Sequence, residues 1–155
     1  VWTGKGSPTL KDRAKKFATA KATDRRAIHS KFIRTIFSRD KHAKAARPDV
    51  IKAFAEACCE LDDSVPNGTY IDMTRHLPVI NPRKLTVPVL ITRGEWDGIA
   101  SYEDLIEFFN LLPNPDKQFA VMPGISHASL QMKNFEIVFH LIGSYFSQPD
   151  PVFKG

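Results

Sequence analysis

Asp97 and His127 are the residues whose types and surroundings best suit acid–base chemistry. Asp97 lies in Arg93-Gly94-Glu95-Trp96-Asp97-Gly98-Ile99, and His127 in Pro123-Gly124-Ile125-Ser126-His127-Ala128; each segment directly follows a short apolar run. A carboxylate paired with an imidazole fixes the ring's tautomer. It also stabilises the imidazolium formed when the histidine takes a proton from a nucleophile. Taken singly, Asp97 reads as an Asp-Gly turn residue and His127 as a loop histidine bonded near the surface. Placement on two comparable loops is what favours a dyad. Trp96, beside Asp97, suits either a pocket wall or a packed aromatic. His29, His42, His76 and His140 have no ligand-like spacing, so neither a metal nor another cofactor is expected. Gly4-Lys5-Gly6-Ser7 lacks the spacing and the preceding strand of a phosphate loop.

The elements around these loops have a readable order. Val87-Pro88-Val89-Leu90-Ile91-Thr92 is a nearly continuous apolar run, as in a strand buried on both faces. Ser101 to Asp104 matches a capping box, and Leu105, Phe108, Phe109 and Leu112 share one helical face. Gln118 to Met122 forms a second strand pattern, and Phe135, Val138, Phe139, Ile142 and Phe146 mark a last amphipathic helix. Strand, helix, strand, helix makes a βαβ unit, with parallel strands and a right-handed crossover. Loops leaving the C-terminal ends of such strands are where α/β proteins hold ligands and catalysts. Those are the Asp97 and His127 loops.

Residues 11–60 read as helices. Ile28, Phe32, Ile33, Ile36 and Phe37 form one stripe, with Thr23 expected as an N-cap. Pro48 suits the first position of another helix, whose Ile51, Phe54, Ala55 and Cys58 follow helical spacing. Asp62 to Gly68 reads as a turn, and the stretch around Pro78 and Pro82 as a linker over the surface.

A chain of 155 residues favours a single domain, and 43% hydrophobic with 25% charged residues excludes collagen-like, mucin-like and wholly disordered classes. No apolar run is long enough for a membrane span. Cys58 and Cys59 are adjacent and read as small apolar residues of a helix in a reducing, cytoplasmic setting. Residues 1–60 carry 15 Lys/Arg against 6 Asp/Glu, a net of +9, whereas residues 61–155 carry 7 against 11, a net of −4. The dispersed basic positions read as a solvated helix face, without the interleaved aromatic platforms of a nucleic-acid surface. Nucleic acid is therefore not the expected partner.

The run from about Leu85 to Gln148 resembles the C-terminal end of an α/β-hydrolase-fold enzyme. Val87-Pro88-Val89-Leu90-Ile91 with Gly94-Glu95-Trp96-Asp97 resembles the strand and loop that deliver the family's acid, and Pro123-Gly124-Ile125-Ser126-His127 the loop bearing its histidine. The resemblance implies an α/β fold with residues 1–75 as a helical cap and 76–155 as the C-terminal βαβα part of the core. It further implies ester, thioester or amide hydrolysis, with His127 as general base then acid and Asp97 orienting it. Substrate contacts are expected from Trp96, Phe32 and Phe37. No Gly-x-Ser-x-Gly occurs in the chain, so the nucleophile is expected from sequence not present here. Gly124-Ile125-Ser126-His127-Ala128 has nearly that shape, but no helical periodicity follows it at once, and Ser126 reads as a loop hydroxyl bonding to backbone. The expected partners are a small ester-like substrate and either the missing N-terminal half of the fold or a second copy of the chain. The alternative is a truncated, non-catalytic module binding an anionic partner through its basic half.

Overall fold

The computed structural model describes residues 1–38 and 42–149. The C-terminal part follows the order read from the sequence. Strand β3 (Val89–Gly94) leads to helix α5 (Tyr102–Leu111), strand β4 (Lys117–Met122) and helix α6 (Glu136–Phe146). The two strands are parallel, in register from Val89 opposite Lys117 to Gly94 opposite Met122. Ser101 caps α5, its Oγ accepting from the Asp104 amide at 3.2 Å. Asp104 does not complete the reciprocal half of a capping box. Its buried carboxylate accepts instead from the amides of Trp2 at 2.6 Å and Thr3 at 2.8 Å, and from the Thr3 hydroxyl. Those bonds hold the first residues of the chain against α5, where Trp2 also meets the Phe108 ring edge-on. Burial raises the Asp104 carboxyl, but the Thr3 hydroxyl and the amide donors outweigh it and hold the group below the usual carboxylate range.

The N-terminal half is less uniformly helical than its periodicity suggests. Helices α1 (Pro8–Lys16), α2 (Ser30–Ser38), α3 (Pro48–Leu61) and α4 (Gly68–Arg75) are accompanied by strands β1 (Arg25–Ala27) and β2 (Ser64–Pro66). The two strands pair antiparallel, with Arg26 opposite Val65. Thr23 therefore caps no helix. The amides of Ile28 and Asn67 donate to Asp63 and Asp24 carbonyls at 2.9 Å, extending a ladder that satisfies the backbone without a helical turn. Asp62 to Gly68 is correspondingly half strand rather than all turn. Pro48 does open α3.

Helix α2 packs on α3, and α1 on α4. One buried cluster joins the two halves, with Phe37 and Ala46 among Met122, Ile125, Met132 and Val138. The apolar stripe of α6 is only partly covered: Val138 is buried, but Phe139 and Phe146 stand 60% and 80% exposed. Among the described residues neither β3 nor β4 has a second strand neighbour. No helix among them is long and apolar enough to cross a membrane.

Candidate active site

The site is made where β3 and β4 end. Gly94 closes β3 so tightly against the following loop that a Cβ there would stand 2.5 Å from the Ile125 carbonyl oxygen and 2.6 Å from that of Ser126. Only glycine lets the backbones approach in this way. Just beyond, the Glu95 amide donates to Met122 O and the Trp96 amide to Ile125 O, each at 3.0 Å. The Glu95 carboxylate returns the link by accepting from the Gly124 amide at 2.9 Å. Gly124 has φ +69°, and Asn134 fills the space a side chain would need. The two loops thus behave as one stitched unit.

Arg93 organises the first loop from beneath. It is 6% exposed, and its guanidinium donates to the carbonyls of Ala100 (2.8 Å), Gly94 (2.6 Å), Glu95 (3.0 Å) and Asp97 (2.7 Å). Its face lies 3.8 Å from the Tyr102 ring centre. One planar fork thus ties four backbone carbonyls of the strand end and loop together, one of which, Gly94 O, also accepts from the Asp97 amide at 3.1 Å. The signal for this role in the sequence is an arginine near the end of an apolar strand run.

Within this frame Asp97 Oδ1 accepts from the amides of Ile99 at 2.7 Å and Ala100 at 3.2 Å. That leaves Oδ2 for His127 Nδ1, 3.1 Å away. The Asp97 side chain is 10% exposed and that of His127 50%, so the carboxylate is largely shielded while the ring faces outward. Burial raises the Asp97 carboxyl, yet the His127 contact and the two amides outweigh it and hold the group below the usual carboxylate range. An ionised carboxylate only accepts, so Nδ1 carries a proton, and in the neutral ring the lone pair is left on Nε2. Such a ring is arranged to take a proton at Nε2 and to bear the resulting charge. Among the described residues no nucleophilic side chain is bonded to Nε2.

The other candidates separate. Ser126 is 2% exposed, with Oγ 3.7 Å from the Met132 sulfur, so its hydroxyl is packed away rather than bonded to backbone. Trp96 is half-buried and stacks on His42, ring centres 3.9 Å apart and 15° from parallel. Phe37 does not line the site: it is 3% exposed, in the core against Phe54, because its α2 face is the one turned onto α3. Phe32 lies on a different cleft, with Arg13, Lys16, Phe17, Arg26 and Tyr70. Among the described residues no group of three or more His, Cys, Asp or Glu side chains is gathered as for a metal ion. Cys58 is half-buried and Cys59 exposed, both free.

Compared with protein-family models and with curated proteins, the sequence finds no match in either. Solved structures do match the fold. A soluble variant of monoglyceride lipase from Saccharomyces cerevisiae, in complex with a substrate analogue, superposes with TM-score 0.58 at 16% identity, over 89% of this chain and 48% of its own. The Paleococcus ferrophilus monoacylglycerol lipase gives 0.57 at 17% identity, over 94% and 54%. E-2-(Acetamidomethylene)succinate hydrolase gives 0.53 at 21% identity, over 90% and 52%. The chain spans about half the length of the structures it matches.

Proposed function

We propose, for a chain that has part of the α/β-hydrolase fold, that it is the cap and C-terminal catalytic part of a serine hydrolase acting on a small-molecule ester. The observation that carries this reading is the 3.1 Å contact of His127 Nδ1 with a shielded Asp97 carboxylate, on two loops leaving the same end of a parallel sheet. Two of the matched structures are lipases of monoglycerides, which supports an ester as the substrate class.

In this mechanism the serine and its oxyanion donors belong to sequence outside these 155 residues. The span of about half a hydrolase supports that, as does the uncovered apolar face of α6. His127 Nε2 takes the serine proton as the oxygen attacks the carbonyl carbon. The protonated ring then gives that proton to the leaving alkoxide, and a water repeats the cycle on the acyl-enzyme. Asp97 holds the ring's tautomer and offsets its transient charge; it does not itself accept the proton. Trp96, adjacent to the acid and half-buried, is the side chain assigned to contact substrate in this mechanism.

The test is ester turnover by the complete protein carrying this chain. Monoacylglycerol and a short chromogenic acyl ester serve as substrates. Turnover lost in His127→Ala, with the fold intact by circular dichroism, supports the reading. Undiminished turnover in that variant refutes it.

A further inference from the structure

We infer that the cleft between α1, β1 and α4 is a binding site for a phosphate group, separate from the Asp97–His127 pair. Arg13 and Lys16 come from one face of α1, a turn apart, and Arg26 from β1. Phe17, Phe32 and Tyr70 line the same cleft, so folding brings aromatic rings beside basic residues that the sequence does not interleave with them. Arg26 lies 3.9 Å and Arg13 4.5 Å from the centre of the single Tyr70 ring, which itself stacks on Phe17 at 5.0 Å.

Two guanidinium groups on one ring repel each other, and the ring's quadrupole offsets only part of that. No carboxylate of the described residues pairs with Arg13, Lys16 or Arg26 within 4.0 Å, so an anion is the missing complement. The contrast with the preceding residue is direct. Arg25, on the other side of β1, reaches the Asp62 carboxylate at 3.6 Å and Ser64 Oγ at 2.9 Å. Among the described residues Arg26 has only long bonds from Nη1, to Pro66 O at 3.4 Å and Asn67 Oδ1 at 3.3 Å.

The cleft volume is about 130 Å3, the liquid volume of about four waters. That suits a phosphate group and leaves the rest of its ligand outside. Two planar forks and an ammonium match the geometry and double charge of a phosphate monoester better than a single carboxylate. The aromatic wall offers a flat apolar surface to whatever carries the phosphate.

Titration calorimetry of the complete protein with inorganic phosphate, at fixed ionic strength, is the experiment. Saturable binding is expected, weakened about tenfold or more in Arg26→Ala, the loss of one charge-assisted contact. Arg26→Lys, which keeps the charge but not the fork, is expected to weaken it as well, whereas Arg25→Ala leaves it unchanged. Arg13→Ala, at a helix surface, provides a second variant should changes in β1 disturb folding. Glycerol phosphate and phosphatidate vesicles then distinguish a soluble ligand from a lipid headgroup. Binding of either that Arg13→Ala weakens supports the site. Absence of saturable phosphate binding, or binding equally sensitive to Arg25→Ala, overturns it. Ester turnover does not enter, so failure here is distinct from failure of the hydrolase reading.

Discussion

Replacing Gly94 by alanine tests whether the stitched loops set the geometry of the dyad. The added Cβ would lie 2.5 Å from Ile125 O and 2.6 Å from Ser126 O, where real Cβ contacts stop near 3.0 Å. The backbone carrying His127 must therefore withdraw by at least 0.5 Å, and neither carbonyl belongs to a side chain that can swing aside. Overpacking of this kind costs about 1–3 kcal/mol. Displacement approaching 1 Å at a catalytic group costs on the order of 100-fold in rate. Gly94→Ala is thus expected to lower unfolding stability by about 1–3 kcal/mol in urea. Under conditions where it remains fully folded, it should lower ester turnover tenfold or more, on the order of the effect expected for misplacement. The hydrogen-bonded Nδ1 proton of His127, followed by NMR, should move or broaden together with the loss of rate. Wild-type stability with wild-type turnover would refute the argument that close backbone approach at Gly94 places the histidine.

Asp97→Asn should reduce turnover on the order of 10,000-fold, the scale seen when the carboxylate of such a triad becomes an amide. Because the folded Asp97 carboxyl lies below its ordinary range, its stabilising contribution is present above that ordinary range and is lost as pH falls through the lower folded value. The stability gap between wild type and Asp97→Asn should accordingly be open at pH 7 and close in acid below that range; a gap independent of pH would contradict this. Arg93→Met removes donors from four loop carbonyls and should cost at least about 3 kcal/mol, read by urea unfolding. A cost within experimental error would show the fork to be dispensable. For the isolated chain, Phe139→Ser with Phe146→Ser should diminish self-association and binding of an apolar dye, both followed by light scattering and fluorescence. Unchanged scattering would mean that the α6 face does not drive association.

The C-terminal unit was legible because its signals are local and agree. The apolar run marks β3, the Ser101 cap the start of α5 and the Pro123-Gly124 stop the end of β4, each where the structure has it. The Asp97 and His127 loops follow from that order, since parallel strands must end together. What escaped was non-local. Residues 25–27 and 64–66 are too short and too polar to show a period, and become strands only by pairing across an intervening hairpin of helices. Phe37 and Phe32 sit on one helical stripe, yet the first enters the core and the second a basic cleft, a difference set by which neighbours pack on α2. Asp104 looked like half of a capping box, and its partners lie about 100 residues away at the start of the chain. The α6 stripe has the pattern of a buried face, yet among the described residues it is only partly covered, with Phe139 and Phe146 the most exposed.

The central claim is that His127 serves a serine supplied by sequence outside these 155 residues. Its most direct test is intact mass of the protein from its native source, after treatment with a fluorophosphonate that traps activated serines. The account predicts that this sequence occurs within a singly labelled chain roughly twice as long, with labelling abolished in His127→Ala. An unlabelled species of the present length, with no longer labelled form, would leave the dyad without a nucleophile and contradict the account.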